Sequence, residues 1–419
     1  MTIWDKMPSK ETLLKELPGD NAGILKVNAH MHTPYSFSAF KNIPQALDMA
    51  VEEGVCVVGI NDFYSTDGYE EWANECMRRN LFPLFNIEFV SLNKEDQANS
   101  IRVNDPKNPG RTYLSGKGLA FPQNLREPYL SQLLDVKRES NLYAAKMCGK
   151  INEILQSIGA GFELSYQEIE STLTRGSVRE RHLARALREK VGREFPGEDE
   201  QKAFYGKLFG EGKELKSPPN DYAAVENEIR SSLLKSGGAA FVPENPEAFL
   251  EMEAVRQVIL KAGGIPTYPF LADDAEGNFT NFEKDLGRAT EILKARGIYS
   301  AEFITSRNNP EVLEKYAGYL YNAGFIVTFG SEHNTPAMEP ITLYARNKTQ
   351  LSEKLMEINY KGACATAAHQ YLYATEGEGY VDEDGKPRME NRGQYEKLGD
   401  ALIRQVIEKA PPILARGKD

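Results

Sequence analysis

The chain has 419 residues, 41% hydrophobic and 26% charged, with a formal net charge of −11. This is the composition of a soluble globular protein with one large or two ordinary domains, and the acidic balance excludes nucleic acid as an expected partner, because a phosphate backbone demands a basic surface. No apolar run approaches a membrane span, and the four cysteines (Cys56, Cys76, Cys148, Cys364) are widely spaced with no C-x-x-C pair, which argues against a disulfide framework or a zinc finger.

The first residues, Met1 to Lys6, lack the basic start and long apolar core of a signal peptide, so the expected location is the cytoplasm, away from membranes. Residues 1–20 are polar and read as a loose helix or arm. Residues 23–27 read as a short strand leading into Asn28-Ala29-His30-Met31-His32-Thr33, where two of only five histidines lie one residue apart. On a strand, positions i and i+2 share a face, so His30 and His32 would project together, as two imidazoles must to hold a metal ion. Residues 43–51 have helical spacing with Pro44 in the first turn. Residues 55–60 form a continuous apolar run, as in a strand buried on both faces, and end in Asn61-Asp62-Phe63. A helix over 69–79, capped by Thr66 or Asp67, and a strand over 81–90 carrying Glu88 follow. This alternation predicts parallel β-structure with crossover helices and a site at the strand C-terminal ends, near which His30, His32, Asp62 and Glu88 all fall.

Residues 93–118 are polar and rich in Asn, Gly and Pro, and read as a long excursion. Residues 127–234 change to helices, chiefly 129–157 and an arginine-rich 178–190, with no strand alternation. The α/β rhythm resumes with a strand near 237–242, a helix over 249–262 stopped by Gly263-Gly264, and a strand over 265–269. A helix (282–296), a strand (298–304), a helix (310–322) and a strand (325–329) complete the series. The last strand ends in Gly330-Ser331-Glu332-His333-Asn334, a third histidine beside a carboxylate. Residues 340–419 hold a short strand around 341–345 and at least two helices, joined by a glycine- and acid-rich stretch near 375–388.

In order, these blocks resemble the PHP (polymerase and histidinol phosphatase) family of metal-dependent phosphoesterases. The family opens with H-x-H-T/S, here His30-Met31-His32-Thr33. I-T-D-H follows, here Ile60-Asn61-Asp62-Phe63, and then G-I-E, here Asn86-Ile87-Glu88. The helix motif R-x-H-I-A-x-A-L corresponds to Glu180-Arg181-His182-Leu183-Ala184-Arg185-Ala186-Leu187. The run from Ala262 to Pro269 is similar to A-G-G-I-P-x-x-A-H-P but two residues shorter, and G-S-D-x-H corresponds to the run from Gly330 to Asn334. The six blocks span roughly residues 22–340. The resemblance implies a distorted seven-stranded β/α barrel (20–118 and 237–345) with an inserted helical subdomain (119–236) and a C-terminal helical extension (346–419).

The departures are equally specific. Family ligand positions fall on Phe37, Phe63, Tyr268 and Asn334, the family Asp becomes Glu332, and His333 is displaced by one position; the nearest counterpart of a further family histidine is Tyr113. What the resemblance implies is a reduced centre of at least one divalent ion, zinc or manganese, with His30, His32, Glu88, Glu332 and His333 as ligands. Asp62 and His333 are the candidate catalytic groups, and Arg179, Arg181, His182 and Tyr268 the candidate substrate-binding groups. The implied activity is hydrolysis of a small, phosphorylated substrate by metal-activated water. A degenerate member that binds a ligand or partner without turnover, and a mononuclear amidohydrolase-type enzyme, are the alternatives.

Overall fold

The structure, a computed structural model, describes all residues except 1, 16, 18–22, 211, 244, 246–247, 389–391 and 409–419. Seven strands form one sheet: β1 (Lys26–Met31), β2 (Val55–Phe63), β3 (Phe82–Leu92), β4 (Arg111–Lys117), β5 (Ile265–Phe270), β6 (Ser300–Ile304) and β7 (Ile326–Gly330), in that order. β4 runs antiparallel to both neighbours and all other pairs are parallel. An isolated bridge between Met31 and Glu332 brings the last strand back to the first. The sheet is therefore a nearly closed α/β barrel, as the family resemblance implied.

Close approach of backbones makes this closure possible. A Cβ at Gly330 would lie 2.2 Å from the Cβ of His30. With glycine there, the Ser331 and Glu332 amides both donate to the His30 carbonyl and the His32 amide donates to the Glu332 carbonyl.

Outward-facing apolar residues of the strands pack against a ring of helices: Ile43–Glu52, Tyr69–Arg78, Met252–Lys261, Leu286–Ala295 and Pro310–Asn322. The first of these is capped by the Asn42 side chain and carries Pro44 in its first turn. The helix Glu353–Glu376 closes the barrel floor, at the N-terminal ends of the strands. There Asn359 bonds Val27 and Phe329, Gln370 bonds Pro83 and Phe85, and His369 donates to Gly263. The helix Arg392–Ile407 backs it.

Between β4 and β5 the chain builds a second hydrophobic core from the helices Tyr129–Ser157, Tyr166–Leu173, Glu180–Glu194, Glu198–Phe209 and Tyr222–Ile229. Their inward residues include Met147, Ile151, Leu183, Leu187 and Ile229, spaced for one buried helical face.

Three expectations are corrected. The excursion at 93–118 holds a short helix (Lys94–Ala98) and the strand β4, whose inward face is polar and so lacks an apolar strand signal. Residues 237–242 are not a strand: they turn back on the preceding helix and put Ala240 and Val242 into the second core. The strand near 341–345 shrinks to Tyr344–Ala345, paired with Thr349–Gln350. The expected N-terminal arm is seen as the helix Lys10–Lys15, and residues 18–20 of it, like 409–419 of the C-terminal extension, lie outside the described residues.

Candidate metal centre

Unlike its outer face, the barrel lumen is polar. His30, Asn61, Asn86, Glu88, Ser115, Lys117, Thr267, Ser300 and Glu302 are all buried. Contacts across the barrel establish that they face inward, since Glu302 of β6 meets His30 of β1 and Lys117 of β4 meets Asn61 of β2.

Among the described residues, His30, His32 and Glu88 form the one group of three His, Cys, Asp or Glu side chains whose ligand atoms lie within 4.8 Å of one another. His30 and His32 share a face, as the i, i+2 spacing predicts, and their Nε2 atoms are 3.3 Å apart. Glu88 Oε2 lies 3.2 Å from His32 Nε2 and 3.8 Å from His30 Nε2. That oxygen is buried and makes no hydrogen bond.

The remaining ring nitrogens are each backed by a carboxylate. His30 Nδ1 donates to Glu302 Oε2 at 2.9 Å. His32 Nδ1 lies 3.1 Å from Ser36 Oγ, whose own proton goes to Asp62 Oδ1 at 2.5 Å. Ser36 is thus an acceptor toward His32, and both imidazoles carry their proton on Nδ1. The two Nε2 lone pairs consequently converge on each other and on an orphaned carboxylate oxygen. Two acceptors and a carboxylate oxygen at this spacing repel unless a proton or a metal cation lies among them. The spacing suits a metal ion, because four tetrahedral bonds of about 2.1 Å set ligand atoms about 3.4 Å apart. Asn61 Nδ2 is 3.0 and 3.2 Å from the two nitrogens of His30; near-equal distances place it over the ring, off both lone-pair directions.

Electrostatics follow from burial. Desolvation, then the close neighbour His30, holds the His32 imidazole well below its ordinary value, so it is neutral. Burial pushes the Glu88 carboxyl up to about 8, with Glu332 and Glu302 adding to the rise against the pull of His30. Burial would also raise Glu302, but Lys117, with Nζ 2.6 Å away, and His30 override it and keep the carboxyl ionised.

The other expected residues fall into three places. Arg179, Arg181 and His182 start the helix Glu180–Glu194 of the insertion and overhang the centre. Arg179 lies 4.4 Å over the Phe63 ring, which stacks on His32 at 5.0 Å. Arg181 covers Phe37 and donates to Asn227 Oδ1 at 3.0 Å. His182 meets Phe37 edge-on, accepts the Arg179 amide at Nδ1, and is pushed down to about 3 by burial, then by Arg185 and Arg179. Phe37 and Phe63 thus form an apolar collar, with Tyr113 against Phe63.

Glu332 stands beside the three-ligand group, near enough for its charge to act on His32 and Glu88, with its carboxylate held by Arg307. His333 and Tyr268 are elsewhere, which corrects both expectations. The backbone turns left-handed at Glu332 and His333 (φ 65° and 54°), stacking the His333 ring on Phe40. Both its nitrogens are engaged, with Ser331 Oγ at 2.7 Å and the Glu339 carbonyl at 2.8 Å. Tyr268 faces outward on β5, because its neighbour Thr267 pairs with inward-facing Ser115; its hydroxyl donates to Glu283 at 2.9 Å in the helical layer. Asp62 is likewise taken up, by Thr33 and Ser36, and reaches His32 only through Ser36.

Glu302 and Lys117 were not singled out as candidates from sequence. Glu302 carried one signal, a lone charge inside the apolar run 298–304. Lys117 carried none, because its strand was read as an excursion.

No family model and no curated protein sequence matches the chain. Among the solved structures that match, two share low identity with the chain. One, provisionally described as a metal-dependent phosphoesterase from Bifidobacterium adolescentis, shares 14% identity at a TM-score of 0.49, over 82% of this chain and 96% of that one. The other, an amidohydrolase from Chromobacterium violaceum with bound sulfate and no metal, shares 16% at a TM-score of 0.47, over 80% and 96%.

Proposed function

We propose that this chain is a metal-dependent hydrolase of a small phosphate ester, with one divalent ion, zinc or manganese, held by His30, His32 and Glu88. The observation that carries the reading is the convergence of two Nε2 lone pairs on the unpartnered, buried Glu88 Oε2. When bound, the ion would supply the charge that acidifies water and polarises a phosphoryl oxygen. Glu302, directly, and Asp62, through Ser36, hold the two imidazoles in the ligating tautomer. Phe37 and Phe63 exclude bulk water from the mouth. Arg179 and Arg181 overhang the same mouth, and guanidinium groups there favour a phosphate over a neutral amide. The four cysteines are all free thiols, which supports a reducing, cytoplasmic setting. No helix among the described residues is long and apolar enough to cross a membrane.

The test is a panel of phosphomonoesters, phosphodiesters and amides assayed with zinc and with manganese. The reading expects phosphoester turnover that is abolished by chelation and by His30→Ala. Turnover of amides alone would move the chain to amidohydrolase-type chemistry on the same centre, and ion binding without any turnover would make it a binding protein.

A further inference from the structure

We propose that Lys117 is a built-in cation that limits the centre to one divalent ion, and that Glu302, which it anchors, is the residue that positions His30. The inference rests on the reading of His30, His32 and Glu88 as ligands.

Lys117 ends β4 and Glu302 lies mid-strand in β6, both with no exposed surface. Nζ has three acceptors: Glu302 Oε2 at 2.6 Å, Asn61 Oδ1 at 3.1 Å and the Ala29 carbonyl at 3.4 Å. The ammonium is therefore fully satisfied deep in the barrel, with its charge fixed beside the centre. Glu302 is equally committed. Oε2 takes Lys117 and His30 Nδ1, and Oε1 takes the Ser115 hydroxyl. A carboxylate holding the Nδ1 proton of His30 leaves Nε2 as that ring's only lone pair, aimed at His32 and Glu88.

The charge balance of the lumen gives the ion count. Four carboxylates surround the centre. Glu302 is paired with Lys117, Glu332 with Arg307, and Asp62 is consumed by Thr33 and Ser36. Of the four, Glu88 alone has a fully buried side-chain oxygen with no hydrogen-bond partner. One divalent ion on Glu88 and two neutral imidazoles uses every free ligand atom of the three-residue group. A second would need a carboxylate already committed and would meet the Lys117 ammonium across Glu302.

The test uses the full chain titrated with zinc and with manganese, read by calorimetry and by elemental analysis after desalting. Alongside it, 15N histidine spectra are taken of metal-free protein. The proposal expects one ion per chain and a single Nδ1–H tautomer at His30. Folded Glu302→Gln should bind 10–100-fold more weakly, the usual effect of removing a group that orients a ligand. It should also release His30 from that tautomer, and Glu302→Asp should recover part of the affinity. Two ions per wild-type chain would overturn the proposal, as would a folded Glu302→Gln with wild-type affinity and an unchanged His30 spectrum. Should Glu302→Gln fail to fold, the wild-type ion count and tautomer decide. A wild-type chain that binds no divalent ion removes the underlying reading too, whereas one that binds an ion regardless of Glu302 removes this inference only.

Discussion

Lys117→Met tests the lumen most severely. The substitution removes an ammonium from 2.6 Å of a carboxylate when both side chains are only 1% exposed. It leaves Glu302 charged in the interior, with only the neutral donors His30 and Ser115 for company. Breaking a buried pair by deleting one partner costs about 3–5 kcal/mol, because the surviving charge keeps its desolvation penalty without its counter-charge. Replacing both charges removes that penalty. Lys117→Met with Glu302→Leu should cost only about 1–3 kcal/mol, mainly for the acceptor lost to His30 and Ser115. The double variant is therefore expected to be more stable than Lys117→Met alone, a strongly non-additive cycle. Urea denaturation followed by tryptophan fluorescence suits the purpose. The chain has two tryptophans, Trp4 and Trp72, and both belong to the barrel core, so the signal is blind to the separate core of the insertion. A cost below about 1 kcal/mol for Lys117→Met, or a double variant as unstable as the sum of the singles, would refute the buried pair.

Three further outcomes are expected. Gly330→Ala places a Cβ 2.2 Å from His30 Cβ, so β1 and β7 must separate; a loss of about 1–3 kcal/mol with weakened metal binding should appear in denaturation and calorimetry, and wild-type values would contradict the closure described. Arg179→Ala should lower kcat/KM for phosphoesters by about 10–100-fold, the worth of a charged hydrogen bond, with a smaller effect on any amide turnover; equal effects on both substrates would remove Arg179 from phosphate recognition. His369, buried between Gly263 and Tyr380, is pushed from 6.5 down to about 4 by burial. A histidine whose folded value is depressed contributes stability that is complete above 6.5 and lost as pH falls toward 4, here about 3 kcal/mol in all. Denaturation midpoints of wild type should therefore drop through that window more than those of His369→Gln, and parallel pH profiles would show that His369 does not titrate as described.

How much of this was readable in the sequence depended on which side of each strand carried the signal. β2 and β3 announce themselves because both faces are buried and largely apolar. The i, i+2 rule placed His30 and His32 correctly, since strand parity is local. Parity also decides Tyr268 against the site, but only once Thr267 is known to pair with Ser115, a register that chain order does not supply. β4 was hidden because Ser115 and Lys117 line a polar lumen, and a buried polar strand resembles a loop until its partners are known. Those partners are distant: Glu302 lies 187 positions from Ser115, and Lys117 meets Asn61 56 positions away. His333 failed for a local reason that residue types do not reveal. Two successive left-handed residues, Glu332 and His333, turn the chain out of strand geometry and carry the imidazole to Phe40. Phe37 and Phe63 were legible only as departures from the resembled motifs; their role as the support for Arg179 and Arg181 required the insertion to be seen in place.

The central claim is the metal centre at the barrel mouth, and elemental analysis of protein purified without added metal addresses it most directly. The account predicts one divalent ion per chain, absent from a folded His30→Ala, His32→Ala double variant. A chain that retains no ion when equilibrated with micromolar zinc or manganese, or one whose ion survives loss of both histidines, would contradict it.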